Sequence, residues 1–309
     1  MRPPRAAAAP VHDAIAEGSR LASAALAEQQ ARLKSTAARL DAASVADIHD
    51  ARVAARRLRS LLATFLPLLE ERRSRRLRRR LRDFARALSG VREADVRRDL
   101  LQALIKGNAS FATADAGHLR ACLRRSCAEA RQALGREIAG KDWTELVETL
   151  TDEPIPAAVM VRRDAGLGEL LELVDRPWRE AGILLARPPR GAKRLHRLRL
   201  VLKRCRYALE SVSSVESVQA EATLRRLRSA QNYLGDHRDA VQAREWTKVN
   251  DERLGRPVAS GLDRLLRARE KALAVEAVAR ASRVMPAYSA WRKATRELRT
   301  PGETTRDRA

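Results

Sequence analysis

The sequence predicts an all-α fold assembled from two similar helical halves. Apolar residues recur with helical rather than strand periodicity along nearly all of the 309 positions. The hydrophobic share, 45% of residues, consists mostly of Ala and Leu, both strong helix formers. Aromatics reach only 3%, far below what the strands of a β-sandwich or barrel would need. The third observation is a repeat: blocks of the first half return about 147 positions later.

Taken in order, the first half carries helices near 11–41, 45–70, 73–89, 92–106 and 116–139. Pro67 kinks or shortens the second, because its ring clashes with the preceding turn. Pro154 and Pro156 mark a linker around 152–156. The second half carries helices near 167–186, 192–213, 218–234, 238–254, 258–281 and 286–298. Arg187-Pro188-Pro189-Arg190-Gly191 separates its first two helices. Gly90 and Gly235 are expected to cap helix C-termini.

The helix near 45–70 has one cationic face. At about 100° per residue, His49, Arg52, Arg56 and Arg59 fall within an arc of about 80°. Ala51, Leu58, Leu61, Leu62 and Phe65 lie opposite, so the segment is amphipathic with a core side. The same pattern returns as His196, Arg199, Lys203 and Arg206, with Arg57 and Arg204 just off the main arc of each helix. A second stripe, Arg75, Arg79, Arg82 and Arg86, faces away from Leu77, Leu81, Phe84 and Leu88. Arg225 and Arg228 repeat it 146 positions on, above Leu224 and Leu227. The duplicated register implies two similar bundles about an approximate twofold axis, with short loops favouring antiparallel neighbours. If the apolar faces pack, the basic faces can flank a common groove.

Charge narrows the function. Sixty-two Lys and Arg stand against 39 Asp and Glu, a formal charge of +23. Such an excess attracts nucleic acid, acidic membrane surfaces or polyphosphate. All but eight of the basic residues are Arg, whose planar fork holds phosphate oxygens bidentately. Cys122, Cys127 and Cys205 are read as core thiols rather than a disulfide framework. No run of about 18 apolar residues is present, so no membrane span is expected. The N-terminal alanines are interrupted by Asp13 and Glu17, which argues against export and for the cytoplasm. His12, His49, His118, His196 and His237 are scattered, with no metal-binding pair, Walker loop or dinucleotide glycines. No cofactor, metal or catalytic residue is therefore expected, and Glu93, Asp95 and Asp239 are read as helix-start charges or partners that orient an arginine.

Ile48-His49-Asp50-Ala51-Arg52-Val53-Ala54-Ala55-Arg56-Arg57-Leu58-Arg59-Ser60 and Leu195-His196-Arg197-Leu198-Arg199-Leu200-Val201-Leu202-Lys203-Arg204-Cys205-Arg206-Tyr207 resemble the CHAD family, named for its histidine-bearing α-helical domain. Leu88 to Val96 and Leu234 to Val241 support the resemblance, which spans about 11–298. On that reading one domain holds a first repeat near 11–150 and a second near 160–298, between disordered tails at 1–10 and 299–309. The resemblance implies two antiparallel four-helix bundles, a basic central surface, and binding of inorganic polyphosphate. For some members it also implies association with polyphosphate granules and their proteins. The polyphosphate-binding set is then His49, Arg52, Arg56, Arg57, Arg59, Arg79, Arg82, His196, Arg199, Lys203, Arg204, Arg206, Arg225 and Arg228. No two glutamates here are separated by a single residue, so the Glu-x-Glu-x-Lys mark of the triphosphate-tunnel domain carried by many members is absent.

Two other classes compete. Phosphate backbones would attract the same stripes, making nucleic acid a non-specific partner. A phosphohydrolase would need an acid/base or metal set that the sequence does not display.

Overall fold

The computed structural model describes residues 17–40, 44–106, 108, 111–162, 164–187 and 189–299, and among them it is helical with no strand. The basic tail at 1–10, the stretch 11–16 of the first expected helix and the tail from 300 lie outside the described residues. The first half contains α1 (Glu17–Ala37), α2 (Val45–Thr64), α3 (Glu71–Ala87), α4 (Ser89–Ile105), α5 (Thr113–Ile138) and α6 (Lys141–Thr151). A short α7 (Ile155–Val159) leads to the second half. There follow α8 (Leu167–Ala186), α9 (Ala192–Glu210), α10 (Ser217–Val249), α11 (Asp251–Leu254), α12 (Arg256–Ser282) and α13 (Val284–Ala294).

Local chemistry explains where the site-bearing helices begin and end. Ser44 accepts from the Asp47 amide while the Asp47 carboxylate accepts from the Ser44 amide, a reciprocal cap that fixes the start of α2. α2 stops at Thr64, and Pro67 sits inside the 3₁₀ turn Leu66–Leu68 that follows, as expected. Glu70 accepts from the amides of Arg72 and Arg73 and so caps α3. Gly191, at φ +81°, supplies the left-handed turn into α9.

Three elements differ from the sequence expectation. The helices expected at 218–234 and 238–254 form one continuous α10 that ends at Val249. Gly235 therefore lies inside a helix, and Gly90 is the second residue of α4, so neither is a C-cap. The physical reason is packing: α10 lies along α9, α12 and α13, and buried Leu234 and His237 flank the glycine. Ile155–Val159 is helical where a linker was expected around 152–156, and Lys141–Thr151 is a helix where none was expected, with Trp143, Leu146 and Leu150 as its buried face.

Packing partners repeat between the halves: α1 on α2 and α2 on α3, then α8 on α9 and α9 on α10. The main core draws on both halves, from Ala22 through Leu58 to Cys205 and Trp291, and a second cluster joins Leu101 and Leu119 to Leu254 and Leu262. All three cysteines are buried and free. The start of α1 is pinned to the approach to α8. The Ser19 amide donates to the Ala165 carbonyl at 3.0 Å, and the Ser19 hydroxyl accepts from the Ala165 amide at 3.1 Å. Gly18 permits this approach, since a Cβ there would stand 2.2 Å from the Gly166 carbonyl oxygen. Gly18→Ala is expected to destabilise the fold by about 1–3 kcal/mol, read as a lower urea midpoint at unchanged slope.

Candidate cationic cleft

α2 and α9 pack on each other. Their apolar sides, which include Ala51, Leu58 and Leu62 on one and Leu198, Leu202 and Cys205 on the other, are in the core. Their cationic sides are left to face a cleft of about 510 Å³, walled by α4 and α10. His49, Arg52 and Arg56 from α2 share it with His196, Arg199 and Lys203 from α9. The two stripes thus converge. α4 adds Arg92 and Arg97, and α10 adds Arg238, against the carboxylates Glu93, Asp239 and Glu245.

The charge pattern repeats with the sequence. Burial, and then the Arg92 guanidinium, hold His49 below the usual imidazole value. Burial and Arg238 do the same to His196. Arg52 is pushed down to about 10 by burial and then by Arg56, with Glu93 opposing. Arg199 is lowered by burial and Arg56, with Asp239 opposing. Lys203 departs furthest. Burial, then Arg56, Arg199, Arg206 and Arg52, push its ammonium down to about 6. Such crowding of like charge raises the energy of the free protein and is relieved by an anion. The Arg199 and Arg97 Nε atoms and His196 Nδ1 are buried without a hydrogen-bond partner.

A second cleft of about 530 Å³ adjoins the first and shares Arg56 and Lys203 with it. Arg59 from α2 and Arg75, Arg78, Arg79 and Arg82 from α3 line one side; Arg197 and Arg204 from α9 line the other. Arg56 is fixed at the junction, its Nε donating to the Tyr207 hydroxyl at 3.0 Å. Tyr207 is itself buried, so it positions Arg56 rather than offering a free donor. Arg204 and Arg197 meet the Glu180 carboxylate, which tempers this end.

The predicted residues therefore divide. His49, Arg52, Arg56, His196, Arg199 and Lys203 line the first cleft, and Arg59, Arg79, Arg82 and Arg204 line the second. Arg57, Arg206, Arg225 and Arg228 line neither. Arg57 and Arg206 both pair with Glu210 at 3.4 Å. Arg225 is exposed on α10, and Arg228 on the same helix pairs with Glu221 at 2.8 Å. The two histidines sit in the second turn of their helices rather than at the start, and the Asp47 carboxylate is taken by Ser44 and Arg39. Arg92, Arg97 and Arg238 were not foreseen. The pair Arg92 and Arg238 was visible as equivalent positions of the repeat; Arg97 has Ala243 as its equivalent and left no such signal.

A helical scaffold whose two halves present matched cationic helices to one cleft defines a duplicated all-α protein with a shared cationic cleft. Residues 20–248 match the CHAD domain model, and the chain belongs to that family. Among solved structures it is similar to the CHAD domain from the plant Ricinus communis, at 22% identity and a TM-score of 0.65, covering 97% of this chain and 99% of that one. It is also similar to PptA from Streptomyces chartreusis, at 20% identity and a TM-score of 0.63, covering 90% of this chain and 99% of that one. No curated protein matches the chain. No helix among the described residues is long and apolar enough to cross a membrane.

Proposed function

We propose that the protein binds inorganic polyphosphate in the paired clefts, leaves the polymer intact, and is held at polyphosphate granules in the cytoplasm. The convergence of the two His-led stripes on one cleft supports this most directly. Polyphosphate offers no base or sugar, so it is recognised through charge density and donor geometry, which arginine forks supply. A linear polyanion lies in a concavity, whereas duplex DNA takes a projecting helix into its about 12 Å wide major groove. Single-stranded nucleic acid is usually held by stacked aromatic rings, and among the described residues the sole Phe, Tyr or Trp lining either cleft is Tyr207, whose hydroxyl is engaged with Arg56.

Nucleic acid remains the competing ligand, because its phosphates meet the same cations. The test is displacement of labelled long-chain polyphosphate by duplex DNA at matched phosphate concentration and moderate salt. Polyphosphate is expected to resist displacement and to be recovered at its starting length. Equal displacement by DNA would reduce the protein to a general polycation.

A further inference from the structure

The two halves do not present the same exit from the central cleft. In the first half Ala63 ends the α2 stripe, and Arg75 and Arg78 begin that of α3. The equivalent positions in the second half are Glu210, Glu221 and Leu224. Each substitution removes positive charge or adds negative charge on the second-half side. The Glu210 carboxylate lies between Arg57 and Arg206, 3.4 Å from each. Both guanidiniums also sit over the Tyr207 ring, at 5.5 and 5.1 Å. Glu221 holds Arg228 at 2.8 Å. Four cations placed by the repeat on this side are thus three paired ones and an outward Arg225. On the first-half side Arg82 meets Asp83 at 3.2 Å and Arg204 meets Glu180, but Arg59, Arg78 and Arg79 line the open cleft outside any ion pair among the described residues.

Granting the polyphosphate reading above, we infer that a long polyanion leaves the central cleft on one side only, past Arg56 and Lys203 and along α3. Glu210 acts as the stop for the equivalent path along α10. The chain is then bound in one direction across a duplicated scaffold, and its length is sensed on the α3 side.

Arg78→Gln with Arg82→Gln, and Arg225→Gln with Arg228→Gln, remove the same charge from the two sides. With long-chain polyphosphate the first pair is expected to bind about tenfold more weakly and to lower the logarithmic salt slope by about 1.4. The second pair should stay within about twofold of the unmodified protein. The second pair, whose residues line neither cleft, should also leave tripolyphosphate affinity unchanged. Glu210→Gln, which frees Arg57 and Arg206, should tighten long-chain binding by about threefold. Equal losses in both pairs, or no loss in either, would overturn the one-sided path while leaving polyphosphate binding in place. Failure of the unmodified protein to bind long-chain polyphosphate would instead remove the reading beneath it.

Discussion

Arg56→Glu and Lys203→Glu together are expected to reduce polyphosphate affinity by about a thousandfold. The two residues occupy equivalent positions in the repeat, and each lines both clefts. A reversal at either place sets a carboxylate at the junction that a chain must cross. Like charge meeting a phosphate in a partly desolvated site costs about 2 kcal/mol, so each single reversal should weaken binding about thirtyfold. The pair should approach the product, since the two act on successive stretches of the same ligand. Lys203→Glu carries an internal control. Burial, and then Arg56, Arg199, Arg206 and Arg52, leave its side chain mostly uncharged in the ligand-free protein at neutral pH. A carboxylate there is attracted by the same four guanidiniums, so the ligand-free variant should melt at no lower a temperature than the unmodified protein. Loss of binding in a protein that has lost no stability excludes unfolding as the cause. Fluorescence anisotropy and scanning calorimetry would read the two effects, and retained affinity in the double variant would show that the clefts are not the site.

Much of this arrangement was legible in the chain, and its limits are physical. Periodicity set the core faces of α2 and α9, because Leu58 and Cys205 fall on the apolar side of the same heptad-like pattern and both are buried. Periodicity cannot state whether an outward stripe meets a concavity or open solvent. His49 and Arg225 both read as outward residues; the first lies in the cleft and the second on an exposed face. What separated Arg59 from its equivalent Arg206 was a carboxylate one helical turn away, Glu210, whose place in the first half is filled by Ala63. Comparison of the halves at their acidic positions, not only their basic ones, would have found it. The unbroken α10 was hidden for another reason. Gly235 lowers intrinsic helix propensity by about 1 kcal/mol relative to Ala, and packing along α12 and α13 outweighs it. α6 was missed because eleven residues make a marginal helix alone, and Trp143, Leu146 and Leu150 have meaning only against a core.

Polyphosphate binding is expected to take up protons and to strengthen as pH falls from about 10 toward 6. The origin is Lys203, whose pKa is about 6 in the folded protein against an ordinary 10.5. Between these values the unfolded chain holds a proton on this group that the folded protein has mostly released. Its contribution to stability therefore improves as pH rises through that window, and is least favourable below about 6. Binding has the opposite sign. Phosphate oxygens favour the ammonium, so the complex holds a proton that the free protein lacks, and affinity gains as pH drops until Lys203 is charged in both states. His49 and His196, each lowered by burial and by Arg92 or Arg238, extend the same trend below the ordinary imidazole value. Isothermal titration at pH 7.5 in two buffers of different ionisation enthalpy would measure the uptake directly. The heats should differ in proportion to the protons taken up, and equal heats would contradict the mechanism. Lys203→Arg gives the sharper test, because a guanidinium stays charged throughout this range. That variant should bind at pH 8.5 at least as tightly as the unmodified protein, with a nearly flat affinity profile between pH 7 and about 9, below the range in which Arg52 loses its proton. A slope as steep as that of the unmodified protein would place the titrating group elsewhere.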